Sequence, residues 1–177
     1  MDANLTTIQD NRFENASTST GYAIFINTQT SNYTILRNIL INTRGIAIIN
    51  STEGVIRDNN ISTKENDFAL FMFGEYGKNA LVHQNNFTTG ANNIELLFQN
   101  NISFFNNTQF NNSQAYVYYI LNSSNITFDN EKMELLSKGW EIENSSDISI
   151  NNSNISNAIS NFDGLDLGIL VDRNSTV

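Results

Sequence analysis

One phrase returns along this chain at a nearly fixed interval, and that recurrence constrains the fold more than any other feature. The pattern Asn-apolar-Thr/Ser-apolar appears as Asn32-Tyr33-Thr34-Ile35 and Asn125-Ile126-Thr127-Phe128, and again as Asn101-Ile102-Ser103-Phe104 and Asp147-Ile148-Ser149-Ile150. Looser copies are Asn79-Ala80-Leu81-Val82, Asn4-Leu5-Thr6-Thr7-Ile8 with one added residue, and Glu53-Gly54-Val55-Ile56. The copies end at Ile8, Ile35, Ile56, Val82, Phe104, Phe128 and Ile150, with separations of 27, 21, 26, 22, 24 and 22 residues. Three residues further on runs a second column, Asn11, Asn38, Asn59, Asn85, Asn107, Glu131 and Ser153. A third column is apolar: Phe13, Leu40, Ile61, Phe87, Phe110, Met133 and Ile155. Each unit closes on another strand-like run, such as Ile46-Ala47-Ile48-Ile49-Asn50 or Tyr118-Tyr119-Ile120-Leu121-Asn122. Insertions at 16–20 and 64–67 fall between the third column and that run.

Short alternating segments of β-branched and aromatic residues, broken every few positions by Asn, Gly or Ser, are strands and turns. A period near 24 with about three strands per unit predicts an all-β fold, a single-stranded right-handed parallel β-helix (solenoid) of about seven coils, as one domain over 1–177. Stacked coils set equivalent side chains in rows about 4.8 Å apart. An inward Asn row suits that spacing, because an amide both donates to and accepts from its neighbours and tolerates the left-handed backbone of a tight turn. The chain holds no proline, as expected where nearly every strand N–H is needed by the next coil. With the repeat beginning next to Met1 and strand-like residues running on from Leu167 to Val177, the domain is expected to be a fragment of a longer protein or an uncapped assembly subunit, since solenoids protect their ends.

The Asn-turn coil resembles the right-handed parallel β-helix repeat of the pectate-lyase-like superfamily, and the resemblance covers essentially the whole chain. That group contains pectin-degrading enzymes, phage tail spikes, surface adhesin-like proteins and periplasmic copper-handling proteins, so it implies a fold more than an activity. Composition removes several classes. Eighteen acidic against nine basic residues give a net charge of −9, a poor balance for binding phosphate backbones, so no nucleic-acid partner is expected. No apolar run approaches the roughly 18 residues of a membrane-spanning helix. The absence of Cys rules out disulfides, thiol catalysis and Cys-ligated zinc. With one His and three Met, this chain alone lacks the soft ligands for copper; no loop has a calcium-motif pattern, and neither a metal nor a cofactor is expected.

The most enzyme-like string is Asn161-Phe162-Asp163-Gly164-Leu165-Asp166. It is similar to the Asn-Thr-Asp-Gly-x-Asp segment of polygalacturonase-type hydrolases, which would make Asp163 and Asp166 the catalytic carboxylates; inverting hydrolysis needs two carboxyl groups flanking the bond with room for water. The family's Asp-Asp, Gly-His-Gly and Arg-Ile-Lys elements are missing, and Asp-Gly is ordinary turn punctuation. Arg57 and His83 share an outward column and form a candidate glycan-binding pair. Asp10, Arg37 and Asp58 share the next column, alternating in sign as register control. Asn-x-Ser/Thr triplets number 15 among 32 Asn. Most sit in the repeat columns, with Asn32, Asn50, Asn101 and Asn125 as candidate N-glycosylation acceptors.

The closing run is the anomaly. Side chains alternate in and out along a strand, so one parity should be polar on a solvated face. Counting back from the turn residues predicts an inward set of Ala23/Phe25, Ile46/Ile48, Leu70/Met72, Leu96/Phe98, Tyr118/Ile120 and Trp140/Ile142. The outward set is then Ile24/Ile26, Ala47/Ile49, Phe71/Phe73, Leu97 and Tyr119/Leu121, ending in Glu141/Glu143. Both parities are apolar through five coils, about 20 Å, and monomers seldom leave such a stripe bare. The expected interface is therefore Ile24, Ile26, Ile49, Phe71, Phe73, Leu97, Tyr119 and Leu121. Either a loop of this chain covers it, or its partner is a further copy of the chain in an oligomer or filament, or the remainder of a longer polypeptide. The functional expectation is a non-enzymatic structural or adhesin-like module of a cell-surface or extracellular assembly. The alternative is a carbohydrate-active enzyme, a polysaccharide hydrolase or lyase, or a tail-spike-like protein binding surface glycans.

Overall fold

The structure, a computed structural model, describes all residues except 1–2, 16–20, 29, 65–66, 75–77, 90–92, 112–115, 136–137, 157–168 and 172–177. Among the described residues every regular element is a strand, and the strands come in threes. The first rung is β1 (Ala3–Gln9), β2 (Arg12–Glu14) and β3 (Ile24–Ile26). The second is β4 (Thr30–Leu36), β5 (Ile39–Thr43) and β6 (Ile46–Ile49). Next come β7 (Val55–Arg57), β8 (Asn60–Thr63) and β9 (Leu70–Phe73), then β10 (Lys78–His83), β11 (Asn86–Thr89) and β12 (Ile94–Leu97). The fifth rung is β13 (Asn100–Phe105), β14 (Thr108–Asn111) and β15 (Tyr116–Leu121), and the sixth β16 (Ser124–Asp129), β17 (Lys132–Leu135) and β18 (Lys138–Glu143). The last holds β19 (Ser146–Asn151), β20 (Asn154–Ser156) and β21 (Ile169–Val171). Like strands of successive rungs pair in parallel and build three seven-stranded sheets, led by β1, β2 and β3. The chain is a parallel β-solenoid.

The apolar rows run through its interior. Ile35, Ile56, Val82, Phe104 and Phe128 are buried in the first sheet, Leu40, Ile61, Phe87 and Met133 in the second, and Ile46, Leu70, Ile94, Tyr118 and Trp140 in the third. Each large aliphatic or aromatic side chain so placed contributes about 1.5–3 kcal/mol. Between the first two sheets the Asn column forms a continuous ladder. Asn38, Asn59, Asn85 and Asn107 are buried, and each donates its backbone N–H and its Nδ2 to the next rung's side-chain oxygen, at 2.9–3.1 Å. The same Nδ2 groups also donate to Ile8, Ile35, Ile56 and Val82 carbonyls one rung back. Glu131 takes the last of these positions with Oε1, while its Oε2 accepts the Tyr118 hydroxyl at 2.5 Å. A second, shorter ladder at another turn passes from the Gln99 N–H to Ser123 Oγ and from the Ser123 N–H to Ser145 Oγ.

Three expectations of facing are corrected. In the first rung Ile24 and Ile26 lie in the core and Phe25 points outward, because Ile24 pairs with Ile46 and Ile26 with Ile48. Asn27 therefore stands level with Ile49 rather than with the turn residue Asn50, and counting from it reverses the parity. In the fourth rung the inward pair is Ile94 and Leu96; Phe98 takes the left-handed turn position (φ 59°) held elsewhere by Asn50 and Asn122. In the fifth rung Gln109, not Phe110, aligns with Phe87 and Met133 and is buried, donating to the Tyr118 hydroxyl. Phe110 faces outward. The weak repeat copy at Gly54 has its own cause: a Cβ there would meet the Tyr33 ring at 1.8 Å, so the ring of the second rung occupies the space a side chain would need in the third.

Candidate functional site

The third sheet places two columns of side chains on its outer face. The pairing register runs Phe25, Ala47, Phe71, Glu95, Tyr119 and Glu141 in one column, and Ile49, Phe73, Leu97, Leu121 and Glu143 in the other. Aromatic rings dominate the first four rungs. Phe25 is 54% exposed, and Phe73 and Phe98 are each 38% exposed. Tyr22, just ahead of β3, sets its ring 6.4 Å from that of Phe25 and 6.2 Å from that of Phe71. Ala47, outward by register, is thereby inaccessible. The row continues from Phe71 to Phe73 at 6.2 Å and from Phe73 edge-on to Phe98 at 5.9 Å, with Phe68 flanking Phe71 at 5.9 Å.

Charge is distributed unevenly along this face. Near the aromatic end, the Arg44 guanidinium lies 4.5 Å from the Tyr22 ring centroid, a cation–π geometry, and its Nε is 3.7 Å from Asp67 Oδ1. Burial pushes the Tyr22 hydroxyl above its ordinary range, against the pull of Arg44. The opposite end is acidic. Tyr119 donates to Glu143 Oε2 at 3.3 Å, and desolvation, followed by the fields of Glu143, Glu141 and Glu95, pushes its hydroxyl up to about 12. Glu95 itself is half-buried, and desolvation holds its carboxyl above the usual range. The face is thus aromatic at one end, where Arg44 is paired with Asp67, and acidic at the other.

The sequence-derived interface is divided by this geometry. Ile49, Phe71, Phe73, Leu97, Tyr119 and Leu121 lie together on the face, whereas Ile24 and Ile26 are behind it in the core. Tyr22, Phe25, Phe68, Phe98 and Glu95 belong to the face and were missed. Tyr22 and Phe68 precede their strands, and Phe98 stands at a turn, so strand alternation carries no signal for them. Glu95 was visible in the alternation as the polar residue between Ile94 and Leu96.

On the first sheet, Arg57 and His83 are register neighbours, and Phe105 follows in the same column. The His83 ring stacks on Phe105 with centroids 4.4 Å apart and planes 6° apart, and its Nδ1 is 3.0 Å from Gln84 Oε1. Arg57 Nη1 is 3.6 Å from Asp58 Oδ2. The neighbouring turn column holds Asp10, Arg37 and Asp58, all left-handed, and Arg37 binds Asp10 through two contacts of 2.7 Å, keeping that carboxyl below its usual range. Asn32, Asn50, Asn101 and Asn125 also have positive φ, from 47° to 56°. Asn101 donates to Asn79 Oδ1 at 2.6 Å, and Asn125 to Asn101 Oδ1 at 3.0 Å, an outer ladder in which the sequon Asn has a backbone purpose. Asp163 and Asp166 lie outside the described residues. Among the described residues, no three His, Cys, Asp or Glu side chains group as a metal site would require, and no helix is long and apolar enough to cross a membrane.

Compared with known proteins, no family model matches this chain and no curated sequence is significantly similar to it.

Proposed function

We propose that this chain is a non-enzymatic structural or adhesin-like solenoid module of a cell-surface or extracellular assembly, working by self-association through the outer face of the third sheet. Its coil period and Asn ladder favour a place among the right-handed parallel β-helices of the pectate-lyase-like group. One observation carries the reading: an aromatic row from Phe25 through Tyr22, Phe71 and Phe73 to Phe98 lies on the outside of a solenoid whose core is already filled by Ile, Leu, Phe and Trp. Those rings contribute nothing further to the interior, and covering the part of each that is still exposed would yield a fraction of the about 1.5–3 kcal/mol of complete burial. Sedimentation of the purified protein over a wide concentration range tests this. Self-association is expected to rise with concentration and to be lost in Phe71→Asp and Tyr119→Asp with the fold intact. A protein that stays monomeric at millimolar concentration would refute it.

The second reading, a glycan binder or carbohydrate-active protein, is favoured by the stacked His83 and Phe105 beside Arg57 on the first sheet. A ring face with a cation next to it suits an acidic sugar. Binding to acidic oligosaccharides that is lost in Arg57→Ala and Phe105→Ala would establish it, and reducing-end release abolished by Asp163→Asn would extend it to catalysis.

A further inference from the structure

We infer that Asn93, Gln109, Tyr118 and Glu131 form an acid-sensing device inside the solenoid, a single chain of hydrogen bonds whose direction reverses when Glu131 takes up a proton. The repeat supplies its own control, because other rungs fill the same columns differently. Gln109 aligns with Phe87 and Met133, and Tyr118 with Ile94 and Trp140. Asn93 precedes Ile94 where Ala69 precedes Leu70 and Val117 precedes Tyr118. Glu131 stands where the ladder elsewhere has Asn. Rungs without these polar groups coil equally well, so the coil does not require them. All four residues are buried, and each touches the next. Asn93 Nδ2 donates to Gln109 Oε1 at 3.2 Å, Gln109 Nε2 to the Tyr118 hydroxyl at 2.8 Å, and that hydroxyl to Glu131 Oε2 at 2.5 Å. Buried polar groups are costly unless they satisfy one another, which ties the four together as a set.

Every donor in this chain points toward Glu131, as an ionised carboxylate demands, since it can only accept. At the far end Asn93 Oδ1 is buried with no partner. A proton from water goes to Oε2, because Oε1 already accepts both the backbone N–H and the Nδ2 of Asn107. Oε2–H is then a donor, and the Tyr118 oxygen must accept from it. The Tyr118 O–H turns to Gln109, whose amide rotates to present Oε1, and Gln109 Nε2 turns to Asn93 Oδ1. One O–H bond forms, no covalent bond breaks, and the unpartnered oxygen of Asn93 gains a donor. Among the described residues, Tyr118 is the titratable group that touches this carboxyl. Asp129, Lys132 and Glu134 of its own segment point outward, as do Tyr119, Glu141 and Glu143 from the third sheet. Burial holds the Glu131 carboxyl above its ordinary range. The acid form is therefore filled at low pH and emptied as pH rises through that raised value.

Solution NMR of the isotope-labelled protein, titrated from pH 4 to pH 8, tests the device. The Glu131 carboxyl carbon and the side-chain amides of Gln109 and Asn93 are expected to shift together with one midpoint. A carboxyl that titrates while both amides stay still would overturn the reversal, and a carboxyl that never titrates would overturn the proton uptake. In Glu131→Gln the two amides should lose their pH dependence; if they keep it, the proton is bound elsewhere and the inference fails. In Tyr118→Phe the carboxyl should still titrate while both amides stop following it. Gln109→Met, which copies the next rung, serves where Tyr118→Phe does not fold. There the Asn93 shift should vanish while that of Glu131 persists. An Asn93 amide that still follows pH in Gln109→Met would be sensing the charge through space, and the chain would be overturned.

Discussion

The Asn ladder and the outer face of the third sheet are built from the same rungs, yet one is uniform and the other changes character along its length. From Asn38 to Asn107 each ladder residue is Asn, because each must donate to the rung ahead and accept from the rung behind. A replacement at any rung leaves two neighbours short of a partner. The outer face has no such mutual requirement, and it passes from Phe25 and Phe71 to Glu95 and Glu141 within six rungs. Uniformity marks what holds the solenoid together; variation marks where selection had room for something else.

The comparison is tested most severely at Asn59. Its side chain makes five hydrogen bonds, three as donor and two as acceptor, all in or near the buried ladder. Asn59→Ala is expected to destabilise the protein by about 3 kcal/mol in urea unfolding, through several buried groups left unpaired. The adjacent, exposed Asn60→Ala is expected to cost under about 0.5 kcal/mol. Equal losses at the two positions would end the distinction between ladder and surface.

The acidic end of the ladder gives a smaller, pH-dependent effect. Burial holds the Glu131 carboxyl above its ordinary range, outweighing the lowering by Tyr118 and Asn107 hydrogen bonds. The folded protein therefore binds that proton more tightly than the unfolded chain does. Its stabilising contribution is present below the unfolded pKa and is lost as pH rises through the raised native value. Urea midpoints of wild type and Glu131→Gln, measured from pH 4 to pH 7, should show wild type losing ground to the variant as pH rises. A constant difference would show that Glu131 does not titrate in that window.

On the outer face the effect on stability is smaller again. Phe25→Asp combined with Phe73→Asp is expected to lower the monomer's unfolding free energy by about 1–2 kcal/mol, through the lost ring contacts, while abolishing the concentration-dependent species. The smallest change belongs to Arg37→Ala: its pairing with Asp10 lies at the surface with both side chains about half exposed, and its loss should leave the urea midpoint within experimental scatter.

Much of the fold was legible because its signals are periodic. The row of Ile35, Ile56, Val82, Phe104 and Phe128 and the Asn column could be aligned by spacing alone, and the ladder bonds fall at the same separations of 21, 26, 22 and 24 residues. The errors came where residue type was followed in preference to register. Ile24 and Ile26 were assigned outward because Asn27 resembles Asn50 in identity but not in register. Phe110 was assigned inward because a Phe is the better core residue, whereas the buried Tyr118 and Glu131 give Gln109 a hydrogen-bonded place there. Of the face, strand alternation picked out Phe71, Phe73 and Tyr119, but Tyr22 over Ala47 depends on a contact from outside any strand.

By itself the sequence determined that this chain coils into a β-solenoid with a polar Asn row inside, since a side chain that must pair with its own copy recurs at the coil period and shows itself in one dimension. Which rings share the outer face, and that Arg44 stands at one end while Glu95 and Glu143 gather at the other, was decided only by the tertiary structure. A one-residue difference at a turn exchanges the inner and outer faces of a strand without altering its composition.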